Sequence, residues 1–407
     1  MFIIRHLQDA LRRAERMFGA VLVTGARQVG KTTLLRRVKP DLPYITFDDP
    51  ILLASTLETP GTFLKIHPPP LVLDEIQYVS PLFPHIKMRL DAEGGKGRFF
   101  LSGSQQFSMM KNVSESLAGR VGVLNLHGLS LRELRNEQFN IPFLPDDAYL
   151  ARRRSSALPL EIPEVWRLIH RGAMPALAAD PEADWQLFYS AYVKTYIERD
   201  VRDLAQVGDE IKFLSFMTAA AARTGRLLNM ASLARDAGID QRTAKRWLSV
   251  LRASNLVHLL PPYHNNVAKR AVKTPKLYFL DTGLAAYLTR WTSAETLRNG
   301  AMAGPFFETF AIAEVIKSYA NAGIQEPPLY FYRDKEQNEI DLLIEKDRAL
   351  HPVEIKKHAD PAPGEIKAFG LLKKLPDVRR GPGTLICLYD QCLPLGGGDH
   401  AIPLAWL

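Results

Sequence analysis

The chain reads as α/β: a parallel sheet flanked by helices, then a helical region, then a second α/β unit. Three observations carry this reading. Short apolar runs, Val21-Leu22-Val23, Leu71-Val72-Leu73 and Phe99-Phe100-Leu101, alternate with helix-length segments over the first 135 residues. Apolar residues then fall at helical spacing between Leu227 and Leu260. Finally, two strand-like runs, Asn338–Glu345 and Leu350–Lys356, flank a short turn. At 407 residues the chain exceeds one typical core, and its 46% hydrophobic content describes a globular protein. The predicted units are 1–135, a linker and helical lid region over 136–210, a helix-turn-helix unit over 211–290, and 291–407.

The composition excludes several classes. No apolar run is long enough to cross a bilayer, and Met1-Phe2-Ile3-Ile4-Arg5 has no signal-peptide core, so a cytoplasmic protein is expected. Cys387 and Cys392 stand without a zinc-spaced histidine pair and read as thiols in a reducing compartment. The net charge of +8 favours an anionic partner.

Gly25-Ala26-Arg27-Gln28-Val29-Gly30-Lys31-Thr32 follows the first apolar strand and opens a helix that continues through Thr33. The G-x-x-x-x-G-K-T spacing presents backbone N–H groups to a polyanion, with Gly25 and Gly30 supplying the turn. Lys31 is expected to reach the β- and γ-phosphates, and the Thr32 hydroxyl to hold Mg²⁺. The helix N-terminus, with Thr33 in its first turn, favours the anion. A second strand is expected over Tyr44–Asp48. Leu71-Val72-Leu73-Asp74-Glu75 then ends in two carboxylates, Asp74 for the Mg²⁺ and Glu75 to polarise the attacking water. The strand Arg98–Ser104 ends at the same sheet edge, which makes Ser102 and Ser104 candidates to sense the γ-phosphate. ATP and Mg²⁺ are the expected cofactors.

These stretches, with Leu117-Ala118-Gly119-Arg120, resemble the AAA+ superfamily of P-loop ATPases. The resemblance implies that Arg120 is an arginine finger reaching a neighbouring subunit's γ-phosphate, and hence a homo-oligomeric ring. An ordinary surface arginine is the alternative. No second sensor arginine is assigned, Arg171 being a candidate.

Residues 136–163 read as a linker or irregular lid, with Arg152-Arg153-Arg154 as a solvated run. A helix is expected from about Asp184 to Asp203. Further on, Asn229 caps a short helix carrying Met230, Leu233 and Ala234, and Ala237-Gly238-Ile239 turns the chain. Asp240 caps a second helix with Ala244, Trp247, Leu248 and Leu251 inward and Gln241, Arg242, Lys245, Arg246 and Ser249 outward. With the strand Val257–Leu260 this reads as a winged helix, whose wing is the basic stretch Asn265–Lys276, including Lys269 and Arg270. The outward Arg242, Lys245 and Arg246 suit DNA, with protein packing as the alternative.

A hairpin centred between Asp347 and Arg348 sets Asp341 opposite Glu354 and Glu339 opposite Lys356 on one sheet face. Opposed carboxylates call for a cation, and Mg²⁺ is expected there. Glu308, after Pro305-Phe306-Phe307, is a third acidic contributor. This D…E-x-K pattern resembles the restriction-endonuclease-like fold, with Glu308, Asp341, Glu354 and Lys356 in the corresponding places; a solvated strand face with an ion pair is the alternative. Over nearly its full length the chain resembles a prokaryotic family of predicted AAA+ ATPases with a C-terminal domain of unknown function. Two functions follow: an ATP-driven machine acting on DNA by remodelling, translocation or branch processing, or a nucleotide-dependent switch or scaffold that recruits protein partners.

Overall fold

The first five strands are β1 (Ala20–Thr24), β2 (Tyr44–Thr46), β3 (Leu71–Asp74), β4 (Phe99–Gly103) and β5 (Val121–Asn125). They form one sheet in the order β2-β3-β4-β1-β5, every neighbouring pair parallel. The computed structural model describes residues 3–103, 116–196, 210–264, 274–375 and 378–407. Parallel strands buried on both faces need continuous apolar runs, and β1, β3 and β4 are buried at every position. One face packs Val21, Val23, Val72 and Phe100 into the largest core, and the other packs Leu22, Leu71, Leu73 and Leu101 into a separate one. Helices α1 (Leu7–Met17), α2 (Lys31–Val38), α3 (Pro50–Glu58), α4 (Pro60–Ile66) and α5 (Leu82–Glu93) surround this sheet. Because the strands run the same way, the ends of β1, β3 and β4 meet at one edge.

The segment read as a linker is ordered against the end of the chain. After α6 (Leu131–Leu134) comes α7 (Asp147–Ser156), then α8 (Ile162–Arg171), α9 (Pro175–Ala179) and α10 (Trp185–Tyr196). Of the expected solvated triplet, Arg152 and Arg154 are exposed, but Arg153 is wholly buried. Its guanidinium meets Glu137 at 2.7 Å and donates to the Ala405 and Trp406 carbonyls at 2.7 and 3.0 Å. Helical geometry sends one residue of a consecutive triplet inward, and the acceptors come from the far end of the chain.

A three-stranded sheet follows. Helix α11 (Glu210–Ala221) leads into β6 (Arg226–Leu227), α12 (Met230–Asp236), α13 (Gln241–Ala253), β7 (Val257–Leu260) and β8 (Lys276–Phe279), in the strand order β6-β8-β7. Asn229 and Asp240 cap α12 and α13 by accepting from Ser232 N and Thr243 N, each at 2.9 Å. Residues 265–273, including Lys269 and Arg270, lie outside the described residues, as do residues 197–209 and Ser104.

Beyond α14 (Thr282–Leu288) and α15 (Ala294–Asn299), α16 (Ala303–Asn321) is buried almost all round, as a helix enclosed by packed elements must be. On one side it meets the first unit: Leu131 N donates to Glu314 at 2.6 Å, and Lys317 donates to the Leu129 carbonyl at 3.0 Å. On the other lies a mixed sheet of β9 (Leu329–Arg333), β10 (Glu339–Lys346), β11 (Ala349–Ile355), β12 (Arg379–Arg380), β13 (Thr384–Cys387), β14 (Leu393–Gly396) and β15 (Asp399–Pro403). Its order is β14-β15-β13-β11-β10-β9, with β12 pairing β11. Asp347 and Arg348 have φ of 50° and 60°, which makes the tight turn between β10 and β11. The ladder runs in the expected register from Leu342–Val353 to Lys346–Ala349, but its pairs stop short of Asp341–Glu354 and Glu339–Lys356, where β10 shifts register against β9 between Ile340 and Leu343. Among the described residues no helix is long and apolar enough to cross a membrane. Cys387 and Cys392 are both free thiols, and burial raises the Cys387 thiol to about 11.

Candidate functional site

The loop between β1 and α2 can hold only glycine at its first position. Gly25 has φ of 148°, and a Cβ there would lie 2.0 Å from the Leu126 carbonyl oxygen. Gly30 caps α2 with φ of 93°, so the helix starts at Lys31 with its N–H groups facing the loop. The Lys31 ammonium rests on the loop's own carbonyls, donating to Gly25 at 3.1 Å and Ala26 at 2.8 Å. Behind the loop, buried Arg5 donates to the Val29 carbonyl at 2.6 Å and the His127 carbonyl at 2.7 Å, and pairs with Glu133 at 3.1 Å. No sequence motif marks Arg5; only the fold brings the chain start beneath the loop.

Asp74 is the point where the sheet edge converges. The Thr32 hydroxyl donates to its Oδ2 at 2.8 Å, Tyr44 donates to the same oxygen at 2.5 Å, and Ser102 donates to Oδ1. Ser102 is fully buried, so its hydroxyl serves Asp74 in this arrangement. Burial first, and then Asp74, raises the Tyr44 phenol well above its ordinary range and keeps it a donor. Glu75 stands beside Asp74 in the left-handed region, φ 54°, which a non-glycine residue adopts only when its surroundings impose it. The Gln77 amide donates to the Glu75 carboxylate. β4 lies between β1 and β3, and the β2–β3 pairing sets Thr46 beside Asp74. That packing gathers Lys31, Thr32, Tyr44, Asp74, Glu75 and Ser102 at one edge. The donor set, a threonine hydroxyl beside a carboxylate next to a phosphate-type loop, fits a hard divalent cation held with a nucleotide.

Arg120 sits outside that cluster. Its guanidinium pairs with Asp91 of α5 at 2.5 and 3.1 Å and donates to the Ala118 carbonyl at 3.0 Å. Arg171 is spent on carbonyls of Leu177, Asp180 and Ala183.

On α13, Ala244, Trp247, Leu248 and Leu251 are buried while Gln241, Arg242, Lys245, Arg246 and Ser249 are exposed. Trp247 packs edge-on to Phe213 and Phe216 of α11, which locks the rotation of α13 and turns its cations outward.

Lys276, expected to extend the basic stretch, is instead buried and turned into the C-terminal unit. Its ammonium lies 2.6 Å from Glu339, 2.9 Å from Glu308 and 3.7 Å from Asp341. Tyr278, next on the same strand face, donates to Glu308 at 2.5 Å. Asp341 Oδ2 accepts from Ile355 N at 3.0 Å, and Lys356 pairs with Glu354 at 2.5 Å. The expected Glu339–Lys356 pair is not formed: Lys356 follows the end of β11 and takes Glu354, while Glu339 takes Lys276 and lies 3.7 Å from Arg333. Burial, and then the Asp341 charge, raises the Glu308 carboxyl to about 7 and that of Glu354 to about 8. Burial opposes the charge on Lys276, but Glu308, Asp341 and Glu339 outweigh it and hold the ammonium above its ordinary range. Among the described residues no group of three or more His, Cys, Asp or Glu is arranged to hold a metal ion. The expected Mg²⁺ does not fit this face: the cation between the carboxylates is a lysine. Lys276 and Tyr278 carried a signal in the alternation of Lys276-Leu277-Tyr278-Phe279, which puts them on one face; their partners were not legible.

Residues 18–135 match a family model described as an AAA domain. Residues 162–295 and 303–407 match two domains of unknown function, DUF8612 and DUF4143. The uncharacterized protein Rv2008c of Mycobacterium tuberculosis is 32% identical over 358 residues, covering 86% of this chain and 73% of the relative. Mb2031c of Mycobacterium bovis matches to the same extent. Among solved structures, the Walker-type ATPase PABY2304 of Pyrococcus abyssi is 14% identical, with a TM-score of 0.44 over 69% of this chain and 94% of that one. The Holliday junction branch migration motor RuvB of Thermotoga maritima is 15% identical, with a TM-score of 0.31 over 64% and 91%. Both scores are too low to define a shared architecture.

Proposed function

The chain belongs to the family of these two mycobacterial proteins, with an AAA domain at residues 18–135, and we propose that it is a Mg²⁺-dependent ATPase acting on DNA. The observation that carries the reading is the convergence of Thr32, Tyr44 and Ser102 on Asp74 at the mouth of the phosphate loop. In this reading the loop amides and the α2 N-terminus bind the phosphates, Thr33 in its first turn contributing. Lys31 exchanges the Gly25 and Ala26 carbonyls for phosphate oxygens. Thr32 and Asp74 would hold the Mg²⁺, which would supply charge neutralisation at the phosphates. Glu75 accepts the proton of the attacking water, oriented by its bond from Gln77.

Arg120 completes a neighbour's site in an oligomer by leaving Asp91. Mixing Arg120→Ala with Lys31→Ala protein then restores part of the lost turnover; absence of rescue would make Arg120 structural. The region from α11 to β8 has the helix and strand order of a winged helix, and the exposed Arg242, Lys245 and Arg246 are the proposed phosphate contacts. The deciding experiment measures ATP turnover with single-stranded, duplex and branched DNA. Turnover indifferent to all three, with binding that lacks a steep salt dependence, would remove DNA from the proposal and favour a nucleotide-dependent switch or scaffold.

A further inference from the structure

We propose that Lys276 is the resident cation of the C-terminal carboxylate cluster, so that this face takes no divalent metal and cleaves no phosphodiester. It works instead as the ionic anchor that fastens the β7–β8 strand pair to the C-terminal sheet. The carboxylates of Glu308, Glu339, Asp341 and Glu354 come from α16, β10 and β11, whereas the ammonium comes from β8, an element of a different sheet.

One oxygen of each of three carboxylates is already engaged, while Glu354 Oε2 is buried without a hydrogen-bond partner. Glu308 Oε1 accepts from both Lys276 and Tyr278, Glu339 Oε1 faces Lys276, and Asp341 Oδ2 accepts from the Ile355 amide. A divalent ion binds such oxygens at roughly 2.0–2.6 Å. It would stand almost in contact with an ammonium that is itself 2.6 and 2.9 Å from two of the carboxylates. Two cations at that separation in a buried place repel strongly. Burial, and then the Asp341 charge, shifts the Glu308 and Glu354 carboxyls toward their neutral forms, and Arg333 adds a further cation 3.7 Å from Glu339.

Backbone pairing reinforces the ionic contact. Tyr263 N donates to the Phe331 carbonyl at 2.7 Å and Phe331 N donates to the Pro261 carbonyl at 3.0 Å, joining the exit of β7 to β9. Both ends of the proposed wing are thus tied to the C-terminal sheet, one by hydrogen bonds and the other by Lys276. This inference is independent of ATP hydrolysis.

The test is Mn²⁺ titration of the nucleotide-free full chain, followed by electron paramagnetic resonance and by thermal unfolding. Wild type is expected to show no Mn²⁺ binding that depends on Asp341. Lys276→Met is expected to gain a saturable site about tenfold or more tighter than anything in wild type, a gain on the order of 1.4 kcal/mol. Mn²⁺ should raise the melting temperature of that variant, and Lys276→Met with Asp341→Asn should lose both effects. A wild-type site abolished by Asp341→Asn overturns the proposal, as does a folded Lys276→Met that gains no site. Should Lys276→Met fail to fold, wild type against Asp341→Asn decides the question alone.

Discussion

Asp74 accepts hydrogen bonds from residues on three different elements, Thr32 on α2, Tyr44 on β2 and Ser102 on β4. Glu75→Gln is expected to keep nucleotide affinity while slowing hydrolysis by about 10²–10⁴-fold; steady-state turnover near wild type would remove Glu75 as the base. Tyr44→Phe deletes one hydrogen bond and should lower stability by about 0.5–1.5 kcal/mol in urea unfolding. An unmoved midpoint would mean that the bond to Asp74 is idle. His127 carries a pH prediction. Burial, followed by the charge of Lys317, depresses its imidazole to about 3 from an ordinary 6.5. A depressed folded value favours the neutral ring, so its contribution is present above 6.5 and is lost as pH falls toward 3. Melting temperatures measured from pH 7 downward should fall more gently in His127→Gln than in wild type, and parallel curves would contradict this. Lys31, Thr32 and Asp74 were legible because a phosphate loop and a strand ending in carboxylates are local patterns. Tyr44 was not, since its role arises from β2 lying beside β3.

At the scale of elements, α13 was readable in full: cap, turn, buried stripe and exposed cations all follow from a period of 3.6 residues. Its function is testable because the cations support no packing. Replacing Arg242, Lys245 and Arg246 by alanine should leave folding unchanged and reduce the logarithmic salt slope of duplex binding by up to about 3. Anisotropy titrations at several salt concentrations measure it, and an unaltered slope would exclude α13 from the interface. The β10–β11 hairpin was equally readable, its register following from a tight turn at Asp347-Arg348. What the hairpin's carboxylates face was not, because β8 arrives from another sheet.

Across the whole molecule, the largest apolar core runs from Leu7 to Leu407 and unites the first sheet, the helical region and the C-terminal sheet. Arg153 and Arg132 act as clasps on the chain end, Arg132 donating to the Leu407 carbonyl. Arg153→Met leaves buried Glu137 with only the 3.5 Å pairing to Arg135 and should lower stability by about 1–3 kcal/mol. Calorimetry should show the AAA domain and the C-terminal unit losing stability together; a shift confined to one transition would argue against a shared core.

The sequence by itself determined the phosphate loop, the Asp74-Glu75 strand end, the capped helices α12 and α13 and the hairpin register. Each is set by dihedral preference, turn chemistry or periodicity within a few residues. Tertiary structure alone decided that Arg153 is a buried clasp, that Tyr44 serves Asp74, and that Lys276 fills the carboxylate cluster. A charged or hydroxyl-bearing side chain goes inward only where its partners already wait, and the nearest carboxylate partner lies 16 residues away for Arg153, 30 for Tyr44 and 32 for Lys276. No local pattern encodes that meeting; packing brings it about.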